Sequence, residues 1–215
     1  MLIAKKQWGM SLIEILIALL IASIVMIAVL AIFSNTMSVS DQVLQRGKLD
    51  RDLGAAMDVI VSDIQRAGYW ANATSSSTNP FQAAGVDLAT NGTSDCVTFT
   101  YDRDGNGSLS AITAATDDEH YGYRKSGGAL QYRPPGASFT CTNPADWINL
   151  NDTNVVTITG FTVTITDQLV TIGASSTTRY RTVTITISGK LNSDTSGTIS
   201  TISRTIKVYA NKYTP

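Results

Sequence analysis

The chain has 215 residues, 15% of them charged and 43% hydrophobic, and its formal charge is −1. This near-neutral balance argues against a nucleic-acid binder that depends on overall basicity, so no specific nucleic-acid partner is predicted. One His and two Cys exclude most zinc sites and nearly all iron–sulfur sites, and they argue against a His-based catalytic triad. Neither a G-x-S-x-G elbow nor a phosphate-binding glycine loop is found, so we predict no enzyme.

An apolar block occupies residues 15–33, which read ILIALLIASIVMIAVLAIF with only Ser23 interrupting. A helix of this length spans roughly 28 Å, close to the ~30 Å core of a bilayer. Lys5 and Lys6 precede the block and favour a cytoplasmic N-terminus with the rest of the chain exported. From length alone, a secretory signal cut near Ser40, a simple membrane anchor and a helix with a function of its own all remain open.

Glu14 stands at the start of this block. A carboxylate in a membrane segment costs about 2.5–3.5 kcal/mol at the bilayer centre, which makes it a functional candidate. The alternative is a side chain that reaches the head groups.

The string KKQWGMSLIEILIALL, residues 5–20, resembles the processing site of the type IV pilin family. The resemblance implies that a prepilin peptidase cuts between Gly9 and Met10 and that Met10 is then N-methylated. It also implies that Glu14, the fifth mature residue, pairs with the N-terminal amine of a neighbouring subunit during assembly. The first mature residue of the family is usually Phe, and here it is Met10.

The helical pattern continues beyond the apolar block at spacings of mostly three and four residues, in Val39, Val43, Leu49, Leu53, Met57, Ile60 and Ile64. We predict one helix over about residues 10–66, ended by Gly68. Its second half is amphipathic and is expected to pack on a globular domain.

Residues 63–70 read DIQRAGYW and resemble the stretch that closes the N-terminal helix of PilW-type minor pilins. The residues of this helix-closing motif are Asp63, Arg66, Gly68, Tyr69 and Trp70. The alternative is a plain helix terminus with aromatic packing.

The remainder is rich in β signals. Residues 71–95 form a predicted surface loop, and residues 121–124 and 129–133 form a predicted hairpin. Apolar residues alternate with Thr or Ser near residues 97–101, 161–166, 182–188 and 202–210. This period of two predicts an antiparallel sheet covered on one side, for which the amphipathic half of the helix is the natural cover.

The predicted fold class is therefore α+β, a lollipop of helical stem and β head, which the pilin resemblance also implies. We expect a leader over residues 1–9, a membrane or filament-core helix over 10–33, an amphipathic stem over 34–68 and a head over 69–215.

Cys96 and Cys141 both fall in the exported part, where an oxidising compartment favours a disulfide. Closing a loop of about 46 residues would stabilise the fold by roughly 4 kcal/mol on the chain-entropy model. Two buried free thiols are the alternative.

A possible calcium loop follows, in which oxygens alternate and a Gly stands sixth, with candidate ligands Asp102, Asp104, Asn106 and Ser108. The twelfth position is Thr113, so the usual bidentate Glu is missing unless Asp117, Asp118 or Glu119 replaces it. An Asp/Asn/Gly turn without an ion is the alternative. His120, the single His, is expected at the surface or in a turn.

Together these features predict a PilW-like minor type IV pilin without catalytic activity. The resemblance implies an inner-membrane subunit with a periplasmic head, which reaches the pilus or cell surface after co-assembly with other minor pilins and the major pilin. It would prime pilus assembly or form the tip. A J-type minor pseudopilin of a type II secretion system, or a membrane-anchored calcium-binding or enzymatic domain, are the alternatives.

Overall fold

The computed structural model describes residues 9, 11–74, 78–114, 116–142, 146–172, 176–194 and 197–209. For residues 169–172 and 176–178 it describes the backbone alone. Within these residues lie one long helix, a 3-10 turn at Pro80–Gln82 and eight strands. The helix α1 is Leu12–Ile64, and the strands are β1 Ala89–Thr90, β2 Cys96–Thr100, β3 His120–Ser126, β4 Ala129–Tyr132, β5 Ile148–Asn149, β6 Val156–Ile172, β7 Ser176–Leu191 and β8 Ser200–Tyr209.

The chain forms two units, residues 1–45 and residues 46–215. The first unit contains the N-terminal part of α1, whose apolar side chains are exposed. By length and composition α1 can cross a membrane, and none of its most apolar stretch is buried. The predicted apolar helix is therefore present, and the predicted boundaries at residues 33 and 68 stay predictions.

The second unit, which we call the head, contains two antiparallel sheets. Their strand orders are β1-β2-β3-β4-β5 and β6-β7-β8. The predicted antiparallel arrangement is confirmed, and it comprises two sheets because the long Thr-rich strands β6, β7 and β8 pair with one another. The peptide N–H groups of Ile158 and Val163 on β6 donate to carbonyls of Gly128 and Ser94 in the first sheet's turns, each at 2.8 Å, and so link the two sheets.

One face of α1 contributes to the core of the head. Its buried residues are Leu49, Leu53, Met57, Ile60 and Ile64, and they join side chains of both sheets in one cluster. The amphipathic pattern is confirmed over this stretch. Val39 and Val43, which lie in the first unit, are 60% and 63% exposed. The buried face of the helix begins at Leu49.

The other β predictions hold, with one correction. The hairpin is formed by β3 and β4 around Gly127 and Gly128. The solvent face of the second sheet carries paired hydroxyls, such as those of Thr184 and Thr205, whose oxygens are 3.1 Å apart. The predicted surface loop at 71–95 instead contains the 3-10 turn and strand β1, and its Phe81 is fully buried.

Candidate functional site

The processing site lies at the N-terminal end of α1. Gly9 is exposed, while Met10, predicted as the methylated residue, lies outside the described residues. The N–H groups of Glu14 and Ile15 donate to the Ser11 carbonyl at 3.0 and 3.2 Å, which starts the helix. Glu14 is exposed and is the acidic residue of the first turn, where the helix dipole favours a negative charge. The carboxylate is therefore available to a partner outside this chain.

The helix-closing motif joins the end of α1 to the first sheet. Gly68 has a φ of +76°, which L side chains rarely adopt, and its N–H donates to the Thr100 carbonyl at 2.8 Å. Tyr123 donates its hydroxyl proton to the Asp63 carboxylate. The Arg66 guanidinium lies 5.8 Å from the centre of the Tyr101 ring. These contacts fix the direction in which the chain leaves the helix.

The rest of the motif reaches the loop that follows β2. The indole N–H of Trp70 donates to the Gly107 carbonyl at 2.8 Å, and the N–H of Asp102 donates to the Tyr69 carbonyl at 3.0 Å. The Asp102 carboxylate accepts the N–H of Ala71 at 2.9 Å. The motif is therefore more than a helix terminus, since it anchors the predicted calcium loop as well.

That loop brings three carboxylates together. One oxygen from each of Asp102, Asp104 and Glu119 lies within 4.8 Å of the others, and Asp104 is the exposed member. The Asp102 oxygens also accept N–H groups of Gly105 and Gly107, at 2.8 and 3.0 Å. Glu119, at the end of the chain segment leading into β3, supplies the carboxylate that the linear spacing lacks.

The other two predicted ligands shape the turn. The side chain of Asn106 donates to Asp104 at 2.7 Å and accepts the N–H of Ser108 at 2.6 Å. Burial, with a contribution from the nearby Asp104 and Asp102 charges, raises the pKa of Glu119 above its ordinary value. Oxygen donors in this arrangement suit a hard cation such as calcium, and calcium binding stays a prediction.

The two cysteines are joined. Cys96 on β2 and Cys141 form a disulfide across 45 positions of sequence. Arg124, buried beside them, donates from Nη1 to the Cys141 carbonyl at 3.0 Å and lies 4.7 Å from the Trp147 ring centre. The disulfide and this arginine hold the loop after β4 on the first sheet.

His120 is buried, which corrects the expectation of a surface or turn residue. It begins β3 with 3% exposure, and its Nδ1 lies 2.9 Å from Asp118 Oδ1. The other oxygen of Asp118 accepts Nη1 of Arg133 at 2.7 Å. Burial lowers the pKa of His120 although Asp118 opposes this shift. The periodicity of isolated segments could not reveal that Arg133, which directly follows β4, pairs with Asp118 beside His120.

A second ion-pair cluster, around the buried Arg181, was also missed. Arg181 on β7 is 2% exposed and pairs with Asp87 and, from Nε at 3.1 Å, with Asp167. Arg179 contacts the same two carboxylates at 3.2 and 2.5 Å. Arginines at alternate positions of a Thr-rich strand were the available signal. The cluster attaches the 78–90 segment to the second sheet.

Comparison with known families gives two matches. Residues 4–30 match the prokaryotic N-terminal methylation motif, which covers the processing site and the start of α1. This defines the class: a type IV pilin-like protein with one long N-terminal helix and antiparallel sheets. Residues 42–208, most of the chain, match the family of prepilin peptidase-dependent protein B. The chain belongs to that family.

No curated protein and no solved structure gave a significant match to the chain. The family membership therefore rests on the two sequence matches, which cover different parts of the chain. One spans the processing site and the other spans the helix-closing motif and the head. Families of pilin-like proteins are typically structural and not enzymatic.

Proposed function

We propose that this chain is a minor type IV pilin of the PilW type. It is a non-catalytic subunit that co-assembles with other minor pilins and the major pilin to prime pilus assembly or to form the tip. The observation that carries the proposal is the presence, in one chain, of the methylation motif at 4–30 and the prepilin peptidase-dependent family at 42–208. The exposed apolar helix supports it, because such a surface requires lipid or other subunits around it.

The proposed route begins in the inner membrane with the head in the periplasm. Prepilin peptidase removes residues 1–9 and the new N-terminus at Met10 is methylated. The exposed Glu14 then pairs with the N-terminal amine of a neighbouring subunit in the filament. Because an unpaired charge in a dry filament core is costly, the pair sets the register of the subunits as well as their affinity.

Mass spectrometry of the protein from its membrane tests this processing. The expected chain starts at N-methylated Met10, and deleting the prepilin peptidase gene should leave Met1 in place. An intact Met1 in the wild type, or a cut near Ser40, would favour a simple anchor or a secreted domain instead.

Assembly is tested with Glu14→Ala and a matched Asp41→Ala variant, since both residues are exposed acids on α1. Glu14→Ala should insert into the membrane and be processed but be lost from sheared pili. Asp41→Ala should be incorporated like the wild type. Equal incorporation of all three proteins would remove the proposed role of Glu14.

A J-type minor pseudopilin of a type II secretion system is the second candidate, because it would have the same stem and processing. The helix-closing motif at residues 63–70 favours the pilus assignment, because its sequence resembles that of PilW-type minor pilins. Complementation separates the two. We expect the gene for this chain to restore pili in a strain whose own PilW-type minor pilin has been deleted. We expect it not to restore type II secretion in a strain whose J-type pseudopilin has been deleted.

A further inference from the structure

Strand β8, Ser200–Tyr209, ends the second sheet. It pairs with β7 in an unbroken antiparallel register from Gly189↔Ser200 to Tyr180↔Tyr209. Its other side has no strand partner among the residues that the structure describes. Since alternate peptide groups of a strand point to each side, a row of N–H and C=O groups along ten residues faces outward.

This edge lacks most of the devices that protect sheet edges. The edge strands of the first sheet, β1 and β5, are two residues long, which leaves little backbone to pair. β8 has ten residues, no Pro, no Gly and no register shift against β7. Its side chains at alternate positions 201, 203, 205, 207 and 209 are exposed. The edge is long and regular enough to accept another strand.

The charge of β8 selects among possible partners. Arg204 and Lys207 are its only charged residues, and no Asp or Glu follows Asp194 in the sequence. Lys207 lies on the solvent face with its ammonium 5.5 Å from the Tyr180 ring centre, and no ion pair of the described residues includes it. Arg204 reaches Asp58 at 3.7 Å, with both side chains more than half exposed, so this pair is weak.

A second copy of the chain fits this edge poorly. Pairing β8 with β8 would place cations along both sides of one short interface, and like charges across strands destabilise a sheet. A carboxylate on the incoming strand would instead neutralise Lys207, on the exposed face of the sheet. The backbone would supply affinity, while the charges would supply the choice of partner.

We propose that the outer edge of β8 is a docking site for an extended, acidic segment of another protein. The segment adds as a fourth strand beside β8 and places a carboxylate opposite Lys207. The inference goes beyond membership of a pilus, because it concerns the head alone and does not depend on processing at Gly9 or on Glu14.

The test uses the full chain in detergent micelles and two acetylated ten-residue peptides. One alternates valine with glutamate, and the other has lysine in place of every glutamate. We expect the glutamate peptide to bind at least about fivefold more tightly, because favourable cross-strand charge pairs replace unfavourable ones. Hydrogen exchange should slow within residues 200–209. Equal affinities, no binding at millimolar peptide, or protection confined to other strands would overturn the proposal.

Variants sharpen this test. Lys207→Glu should reverse the preference for the two peptides, and Lys207→Gln should weaken it without reversal. Lys125→Glu is the matched control, since it makes the same charge change on β3 of the other sheet and should keep the wild-type preference. An unchanged preference in both Lys207 variants, or an equal effect of Lys125→Glu, would contradict docking at β8. Self-association through residues 200–209 would show that a second copy is the partner.

Discussion

Two stretches of α1 have similar apolar side chains and opposite surroundings. Ile24 in residues 1–45 is 59% exposed, whereas Ile60 in the head is fully buried. The head completes its own core with residues that the chain itself supplies. The N-terminal stretch has no such cover within the described residues, so its apolar surface is satisfied by lipid or by other subunits. Hydrophobicity alone therefore does not tell which part of this helix stabilises the fold.

The largest expected effect separates the two stretches directly. Ile60→Ala removes a buried side chain and leaves a cavity, so the free energy of unfolding of the head should fall by about 2–5 kcal/mol. Ile24→Ala makes the same chemical change at an exposed position and should leave that free energy unchanged. Urea unfolding in micelles, followed by the fluorescence of buried Trp70 and Trp147, measures both. Equal losses would mean that the N-terminal stretch contributes to the head.

Two glycines give a second contrast, with opposite signs. Gly68 has a φ of +76°, so Gly68→Ala should destabilise the head by about 1–2 kcal/mol. Gly47 lies inside α1, and an added Cβ there meets nothing within 4 Å. Gly47→Ala should therefore stabilise by about 0.5–1 kcal/mol through helix propensity. The same unfolding experiment reads both variants, and a stabilising Gly68→Ala would contradict the role given to the helix-closing motif.

What the sequence could predict depended on how local each signal was. The helix periodicity of Leu49 to Ile64 and the alternation in β7 appear within single segments, and the structure bears them out. The partner of a buried charge cannot be read from a single segment, since Arg181 and Asp87 are 94 positions apart in the sequence. The prediction that His120 lies at the surface was wrong for the same reason, because its burial depends on Arg133 and Phe139 from other segments. The loop motif predicted Asp102 and Asp104 and left Asp117, Asp118 and Glu119 as alternatives for the further ligand, and only the fold shows that Glu119 lies beside the other two.

Calcium binding is expected to stabilise the head and to leave the N-terminal stretch of α1 unaffected, because the three clustered carboxylates lie in the head. With a dissociation constant of about 0.1–1 mM, typical of extracellular modules, ~1 mM calcium should stabilise the head by about 0.4–1.4 kcal/mol. Asp104→Asn, which changes the exposed carboxylate of the cluster, should reduce this gain. Calorimetric titration checks it, with magnesium as the control ion. No heat at millimolar calcium would leave the Asp/Asn/Gly turn as a purely structural element.

The smallest effect is the pH dependence of the head, where the single His lies. Burial lowers the pKa of His120, so the unfolded chain binds this proton more readily. Stability from this group is therefore present above about pH 6.5 and is lost as the pH falls toward the folded-state pKa.

The neighbouring carboxyl groups of Asp118 and Glu119 change the stability of the head in other pH ranges. Burial opposes ionisation of Asp118, but N–H groups of Gly136 and His120 and the Arg133 guanidinium outweigh it and lower that pKa, so its loss comes in stronger acid. Glu119, with its raised pKa, acts with opposite sign, since it destabilises the head as the pH rises through that pKa. Unfolding free energies at pH 7.5 and 5.5 should therefore differ more in the wild type than in His120→Gln. If the wild type and His120→Gln lose the same free energy of unfolding between pH 7.5 and 5.5, the pH dependence belongs to the carboxylates instead. The loss of imidazole contacts in the variant does not affect this comparison, because it lowers the free energy of unfolding equally at both pH values.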